Sequence, residues 1–179
     1  MRVIAGIAGG TPLVAPRGRV TRPITDRVKE TLFAILAERT LDAAVVDLFA
    51  GTGAIGIEAL SRGARSADFV ERDRAAIASL RANLERTHLV EHAHVHALDV
   101  ERFLAGGFGP WDIAFLDPPY EVRDIVAPVR GLVPRLRPGA LVVIKHFWRT
   151  ELPEVSGLAR VRERRFGETA LSFLEVTAG

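Results

Sequence analysis

The sequence predicts an α/β fold in which a mostly parallel sheet of seven strands is covered by helices on both faces. Three observations carry this. Short apolar runs alternate with stretches of helical periodicity, the first run of the series ends in a glycine-rich turn, and the last two runs are separated only by a few residues around Gly167. Strands alternating with helices imply right-handed crossovers and a buried parallel sheet. Two adjacent runs at the end imply an antiparallel hairpin that closes one edge. At 179 residues the chain reads as one domain, 1–179, able to bury roughly two-thirds of its unfolded surface without a disulfide or metal staple. Residues 41–179 form the expected core, and 1–40 an N-terminal extension.

Taken in order, Val3-Ile4-Ala5, Gly9-Gly10 and Leu13-Val14 predict a small β-hairpin, followed by an arginine-rich loop between Pro16 and Pro23. Thr25 or Asp26 can cap a helix whose apolar positions Val28, Leu32, Ile35 and Leu36 share one face. Residues 45–49 predict a strand running into Gly51, and a helix follows over 55–60. Residues 67–71 predict the next strand, with a helix from Asp73 marked by Ile77, Leu80 and Leu84. Residues 94–98 and 113–116 are two further strands. From Val122 to Leu136 an apolar stripe in steps of three and four predicts a helix that Pro128 and Gly131 should disturb. Pro138-Gly139 should open the strand over 140–146, and 158–166 with 170–176 form the closing hairpin.

Composition excludes several chemistries. Cysteine is absent, so disulfides, thiolate nucleophiles and cysteine metal sites are ruled out. The longest aliphatic stretches, such as 140–144, are far shorter than the roughly 20 residues of a membrane span. The apolar start is interrupted by Gly9, Gly10 and Pro12, unlike a signal peptide. A soluble, cytoplasmic protein is expected. The formal charge is +2, but residues 1–40 hold seven basic and three acidic side chains, a net +4 that leaves −2 for the rest. A basic extension on a mildly acidic body predicts a polyanion partner.

The first core strand runs into Asp47-Leu48-Phe49-Ala50-Gly51-Thr52-Gly53-Ala54-Ile55-Gly56. Gly-x-Gly-x-x-Gly at a strand-to-helix turn lets the backbone turn sharply and lets a ligand approach the helix N-terminus. The turn alone is shared with nicotinamide and flavin enzymes, and Glu71, 20 residues beyond Gly51, could bind a ribose diol in either case. Asp47 points elsewhere: near the strand end its carboxylate could reach a ligand ammonium, which S-adenosylmethionine has. Asp99, after the third core strand, could accept from an adenine amino group or cap a helix.

Asp117-Pro118-Pro119-Tyr120 follows the fourth core strand. Two prolines fix an extended backbone, so the Asp117 carboxylate and a proline-segment carbonyl can be two aimed acceptors. Together they orient the two N–H groups of a nucleobase amino group and favour localisation of its lone pair towards an approaching methyl. Tyr120 offers a stacking face worth roughly 1 to 3 kcal/mol. His92, His94 and His96 alternate and could lie on one strand face. No carboxylate or further histidine completes an evident metal site, so a solvated face is expected and metal is not.

With these residues in place, the chain resembles the class I S-adenosylmethionine-dependent methyltransferases of Rossmann-like fold, and more closely the bacterial 16S ribosomal RNA guanine-N2 methyltransferases. The likeness runs through Arg2-Val3-Ile4-Ala5-Gly6, Thr21-Arg22-Pro23-Ile24-Thr25-Asp26-Arg27-Val28-Lys29-Glu30, residues 47–63, 117–120 and 167–173. It implies that Asp47, Gly51, Glu71 and Asp99 bind S-adenosylmethionine, with Phe49, Ala50, Gly53, Gly56, Arg72 and Val100 beside them. Asp117, Pro118, Pro119 and Tyr120 would hold a guanine amino group. Arg17, Arg19, Arg22 and Arg27 would face 16S rRNA, naked or within a small-subunit particle. Lys145-His146 departs from the expected pattern, which has an acidic residue beside the histidine. The rival readings are a DNA amine or protein glutamine methyltransferase, a non-catalytic RNA-binding assembly factor of this fold, and a dinucleotide oxidoreductase.

Overall fold

The computed structural model describes residues 1–16, 24–118 and 125–177. Seven strands form one sheet in the order β3-β2-β1-β4-β5-β7-β6. The strands are β1 (Ala44–Asp47), β2 (Ser66–Val70), β3 (Ala93–His96), β4 (Trp111–Leu116), β5 (Leu136–Phe147), β6 (Leu158–Phe166) and β7 (Thr169–Val176). The first five are parallel, and β7 runs antiparallel between β5 and β6. Among the described residues five α-helices accompany them: α1 (Asp26–Leu36), α2 (Ala54–Ser61), α3 (Arg74–Thr87), α4 (Val100–Ala105) and α5 (Val126–Leu132). The predicted α/β architecture and closing hairpin are both present.

Period-two alternation divides the core between the two sheet faces. Val45, Ile113, Phe115, Leu141 and Val143 pack against Leu32 and Phe33 of α1, Ile57 of α2 and Leu80 of α3. Their neighbours Val46, Ala114, Leu116, Val142 and Ile144 pack against Phe103 of α4 and Val129 and Leu132 of α5. Helix starts follow their caps: Thr25, Asp73 and Asp99 each accept from the backbone N–H three residues on.

Several expectations shift. The N-terminal hairpin is short, a single antiparallel bridge of Arg2 with Pro12 closed by Val3 N–H donating to Thr11 O and Leu13 N–H donating to Met1 O, because the neighbouring backbone N–H groups turn to helices. Ile4 and Ala5 N–H groups donate to Glu58 of α2, and Val14 N–H donates to Asn83 of α3. Val3, Ala8 and Leu13 are buried in the core of that face. Strand β5 begins at Leu136 and passes through Pro138-Gly139 with a register shift against β4. Pro128 does not break α5, since it lies in the first turn, where its missing N–H has no helical partner to lose.

Candidate active site

Four carboxylates named from the sequence reach one end of the sheet because each sits at or just beyond the end of a parallel strand. Asp47 ends β1, Glu71 follows β2, Asp99 follows β3 and Asp117 follows β4. The chain proceeds from β1 outward to β2 and β3, then returns to place β4 on the other side of β1. Ligands of open α/β sheets bind where strand order reverses in this way. Asp47 and Asp117 stand on either side of that point.

The glycines of the turn have separate duties. Gly51 and Gly53 have φ of 54° and 81°, a left-handed region that favours glycine. A Cβ on Gly51 would meet nothing within 4 Å, so the space above this turn is open to a ligand. One on Gly53 would lie 2.3 Å from Leu80 Cδ1, and one on Gly56 would lie 2.3 Å from Phe69 Cε1. Those two glycines let α2 close on α3 and β2. Ala50 is buried, its N–H donating to Val70 O at 3.0 Å, and Phe49 is half-buried.

Asp47 is 1% exposed. Its Oδ2 accepts from Gly56 N–H at 3.2 Å, and its buried Oδ1 has no hydrogen-bond partner among the described residues. Burial pushes its pKa up to about 7, the Gly56 hydrogen bond opposes this, and the charges of Asp117 and Glu71 add to it. An orphaned, charge-crowded carboxylate oxygen fits a cationic ligand group, which would satisfy the acceptor and lower the local repulsion together.

Glu71 spans the turn. Its Oε2 accepts from Gly51 N–H at 2.9 Å, and its Oε1 accepts from the N–H groups of Arg72 and Asp73, both at 2.8 Å. Oε2 keeps a further lone pair, so Glu71 can hold the turn and still accept from a ribose hydroxyl through that oxygen. Arg72 is exposed, and Val100 is buried at the start of α4. Asp99 caps α4 by accepting from Arg102 N–H at 2.9 Å, a duty compatible with a ligand contact.

Asp117 is clamped by Lys145 of β5, whose Nζ donates to Oδ1 at 2.8 Å and Oδ2 at 2.7 Å. Burial raises the Asp117 pKa, and the Lys145 charge and hydrogen bonds oppose that rise. Sequence reading left Lys145 without a role. Its signal was a lysine at the end of an aliphatic strand, but its partner depends on β4 lying beside β5. The adjacent His146 turns to the other face, with Nε2 2.9 Å from Ser172 Oγ, and Ser172 donates to Glu163. Pro118 is described, whereas Pro119 and Tyr120 lie outside the described residues.

Two readings of charged residues change. His96 is not part of a solvated face. Its Nε2 lies 2.7 Å from Asp68 Oδ1 and its ring packs against Phe103 and Phe108, while His92 precedes the strand and does not align with the others. Among the described residues no group of three or more histidines or carboxylates could hold a metal ion. Lys29, counted within the basic extension, is fully buried and paired with Glu58 at 3.1 Å, and Arg62 pairs with the same carboxylate at 2.8 Å. Burial of the pair follows from α1 packing on α2, which charge counting cannot see. Arg27 is exposed on α1; Arg17, Arg19 and Arg22 lie outside the described residues.

Comparison with known proteins agrees with this arrangement. A family described as Conserved hypothetical protein 95 matches residues 1–175. The chain is 38% identical to YlbH of Bacillus subtilis (strain 168), named as a candidate rRNA methyltransferase, over 96% of this chain and 97% of that protein. It is 44% identical over 120 residues to ribosomal RNA small subunit methyltransferase D of Escherichia coli (strain K12), a match spanning 67% of this chain and 60% of that protein. The solved structure of yhhF, a candidate methyltransferase from Escherichia coli, superposes with a TM-score of 0.88 at 37% identity, covering 100% of this chain and 99% of that one. With its sheet order, glycine turn and strand-end carboxylates, this chain belongs to the Conserved hypothetical protein 95 family.

Proposed function

We propose that the chain is an S-adenosylmethionine-dependent methyltransferase that modifies the exocyclic N2 amine of a guanine in 16S rRNA, in the cytoplasm, on RNA that is free or part of a small-subunit particle. The observation that carries this reading is the orphaned, buried Oδ1 of Asp47 beneath an open glycine turn, one strand away from the clamped carboxylate of Asp117. When bound, S-adenosylmethionine would supply an activated methyl group on its sulfonium for the amino nitrogen, which would release a proton to solvent. Asp47 would hold the ammonium of the cofactor, Glu71 a ribose hydroxyl and Asp99 the adenine amine. Asp117 accepts from one amino N–H of the base, and a carbonyl of the proline segment is the second acceptor.

Lys145 has two consequences for this chemistry. It opposes the rise in the Asp117 pKa that burial causes, and it fixes both carboxylate oxygens in direction. The acceleration then rests mainly on positioning, with the Asp117 oxygens held as aimed acceptors beside the reacting nitrogen. A stacked base cannot reach this end of the sheet, so an extruded or unpaired guanine is required. The test is transfer of tritiated methyl to 16S rRNA. Turnover by the wild-type chain should fall by a factor on the order of a hundred or more in Asp117→Ala, with cofactor affinity retained. Near-normal turnover in that variant at saturating RNA would remove Asp117 from the site.

A further inference from the structure

The sheet edge at β6 is the most basic of the described elements. Its nine residues carry four arginines, Arg160, Arg162, Arg164 and Arg165, against one acid, Glu163, a net +3. Every residue between its two ends is exposed. An edge strand needs some device against pairing with another chain, and a bulge with charges of either sign is enough for that. β6 already has a register shift between Arg160 and Arg162, yet its charges are four to one of one sign and its cations are all guanidinium. That group binds phosphate with a planar fork of donors.

The arginines are also oriented. The Arg165 guanidinium stacks on the Trp148 ring at 3.6 Å from its centroid, and Arg149 approaches the same ring at 4.7 Å. Arg165 Nε donates to Gly167 O at 2.8 Å, and Trp148 is anchored by its own N–H donating to Glu168 O at 3.0 Å. An open recess of about 360 Å³ runs beside Trp148 and Arg149 down to Arg160, with Glu151 and Glu163 also in its lining and Arg160 paired to Glu163 at 3.6 Å, so the arginines free of that pair are Arg162, Arg164 and Arg165. Cross-strand pairing places Arg162 opposite Phe173 and Arg164 opposite Leu171, on the α1 side of the sheet, whereas Arg165 lies opposite Ala170 on the other side. The charges therefore straddle the edge.

Register ties this edge to the proposed chemistry. Leu116 pairs with Ile144, so Asp117 is level with Lys145, which pairs with Leu171, which pairs with Arg164. Three inter-strand spacings of about 4.8 Å separate Asp117 from Arg164, roughly 14 Å across the sheet. That distance suits contacts to the nucleotides flanking a base held at Asp117.

We propose that β6 and the Trp148-Arg149 corner form an RNA-binding surface that grips the phosphates flanking the target base. The inference rests on RNA being the substrate. Its test is binding of the full chain to a fluorescein-labelled, protein-free 16S rRNA transcript over a series of salt concentrations, comparing wild type with Arg162→Gln/Arg164→Gln/Arg165→Gln and with the charge-keeping triple lysine variant. In the glutamine variant the slope of log affinity against log salt should fall by about 2, since each lost phosphate contact removes about 0.7 to 0.9. Affinity at low salt should fall tenfold or more. The lysine variant should keep most of the slope, and S-adenosylmethionine affinity by calorimetry should be unchanged in both. An unchanged slope in the glutamine variant, or equal losses in both variants, overturns the surface. A wild-type chain that neither binds nor methylates the transcript or small-subunit particles overturns the RNA reading itself.

Discussion

Replacing Asp47 with asparagine should make the cofactor-free protein more stable while weakening its grip on S-adenosylmethionine. The side chain is 1% exposed, with one oxygen bonded to Gly56 N–H and the other unpartnered. Its pKa of about 7, against 3.8 for the unperturbed group, means that the folded state holds the proton more tightly than the unfolded state. The stability linked to this group is therefore complete below pH 4 and is lost as pH rises through about 7. At 1.36 kcal/mol per pKa unit, the raised pKa costs the fold about 4 kcal/mol at pH 8 but less than half of that at pH 5. Asparagine removes that cost, keeps an acceptor for Gly56, and adds an amide N–H₂ whose burial costs roughly 1 to 3 kcal/mol if unpaired. The net expectation is a gain of about 1 to 3 kcal/mol at pH 8, larger than the effect at pH 5 by about 3 kcal/mol. Urea denaturation without cofactor at the two pH values measures this. Calorimetry should show S-adenosylmethionine binding weakened ten- to a hundredfold, the loss of one charge-assisted contact. A variant destabilised equally at both pH values would refute the burial reasoning, and an unchanged dissociation constant would refute contact with the ammonium.

Three further outcomes follow from the same geometry. Glu71→Ala should weaken cofactor binding by about 1.5 to 3 kcal/mol, and because Glu71 also holds Gly51 N–H, thermal melting should fall by several degrees; an unaltered melting curve would deny it the second duty. Lys29→Met leaves Glu58 buried with Arg62 and two backbone donors and should cost about 3 to 5 kcal/mol in denaturant, with the N-terminal segment becoming protease-sensitive; a loss under 1 kcal/mol would show that the pair is dispensable. Lys145→Met removes the charge that opposes the raised pKa of Asp117, so the acid limb of turnover against pH should move upward. A limb that stays in place would mean that Asp117 titration does not govern the step.

The parts of this protein legible in its sequence are those encoded within a few residues of one another. Thr25, Asp73 and Asp99 cap helices through bonds that span three residues, and the glycine turn follows directly from the strand that precedes it. Short apolar runs between stretches of helical periodicity marked the strands, and Asp47, Glu71, Asp99 and Asp117 each stand at or just after one of those runs. Tertiary structure decided which strands are neighbours and in what register. That alone paired Asp117 with Lys145 across 28 residues, gave His96 to Asp68, hid Lys29 against Glu58 and set Arg164 level with the site. Local pattern cannot specify those partners, because a period of two records which face a residue occupies and says nothing of the strand that lies beside it.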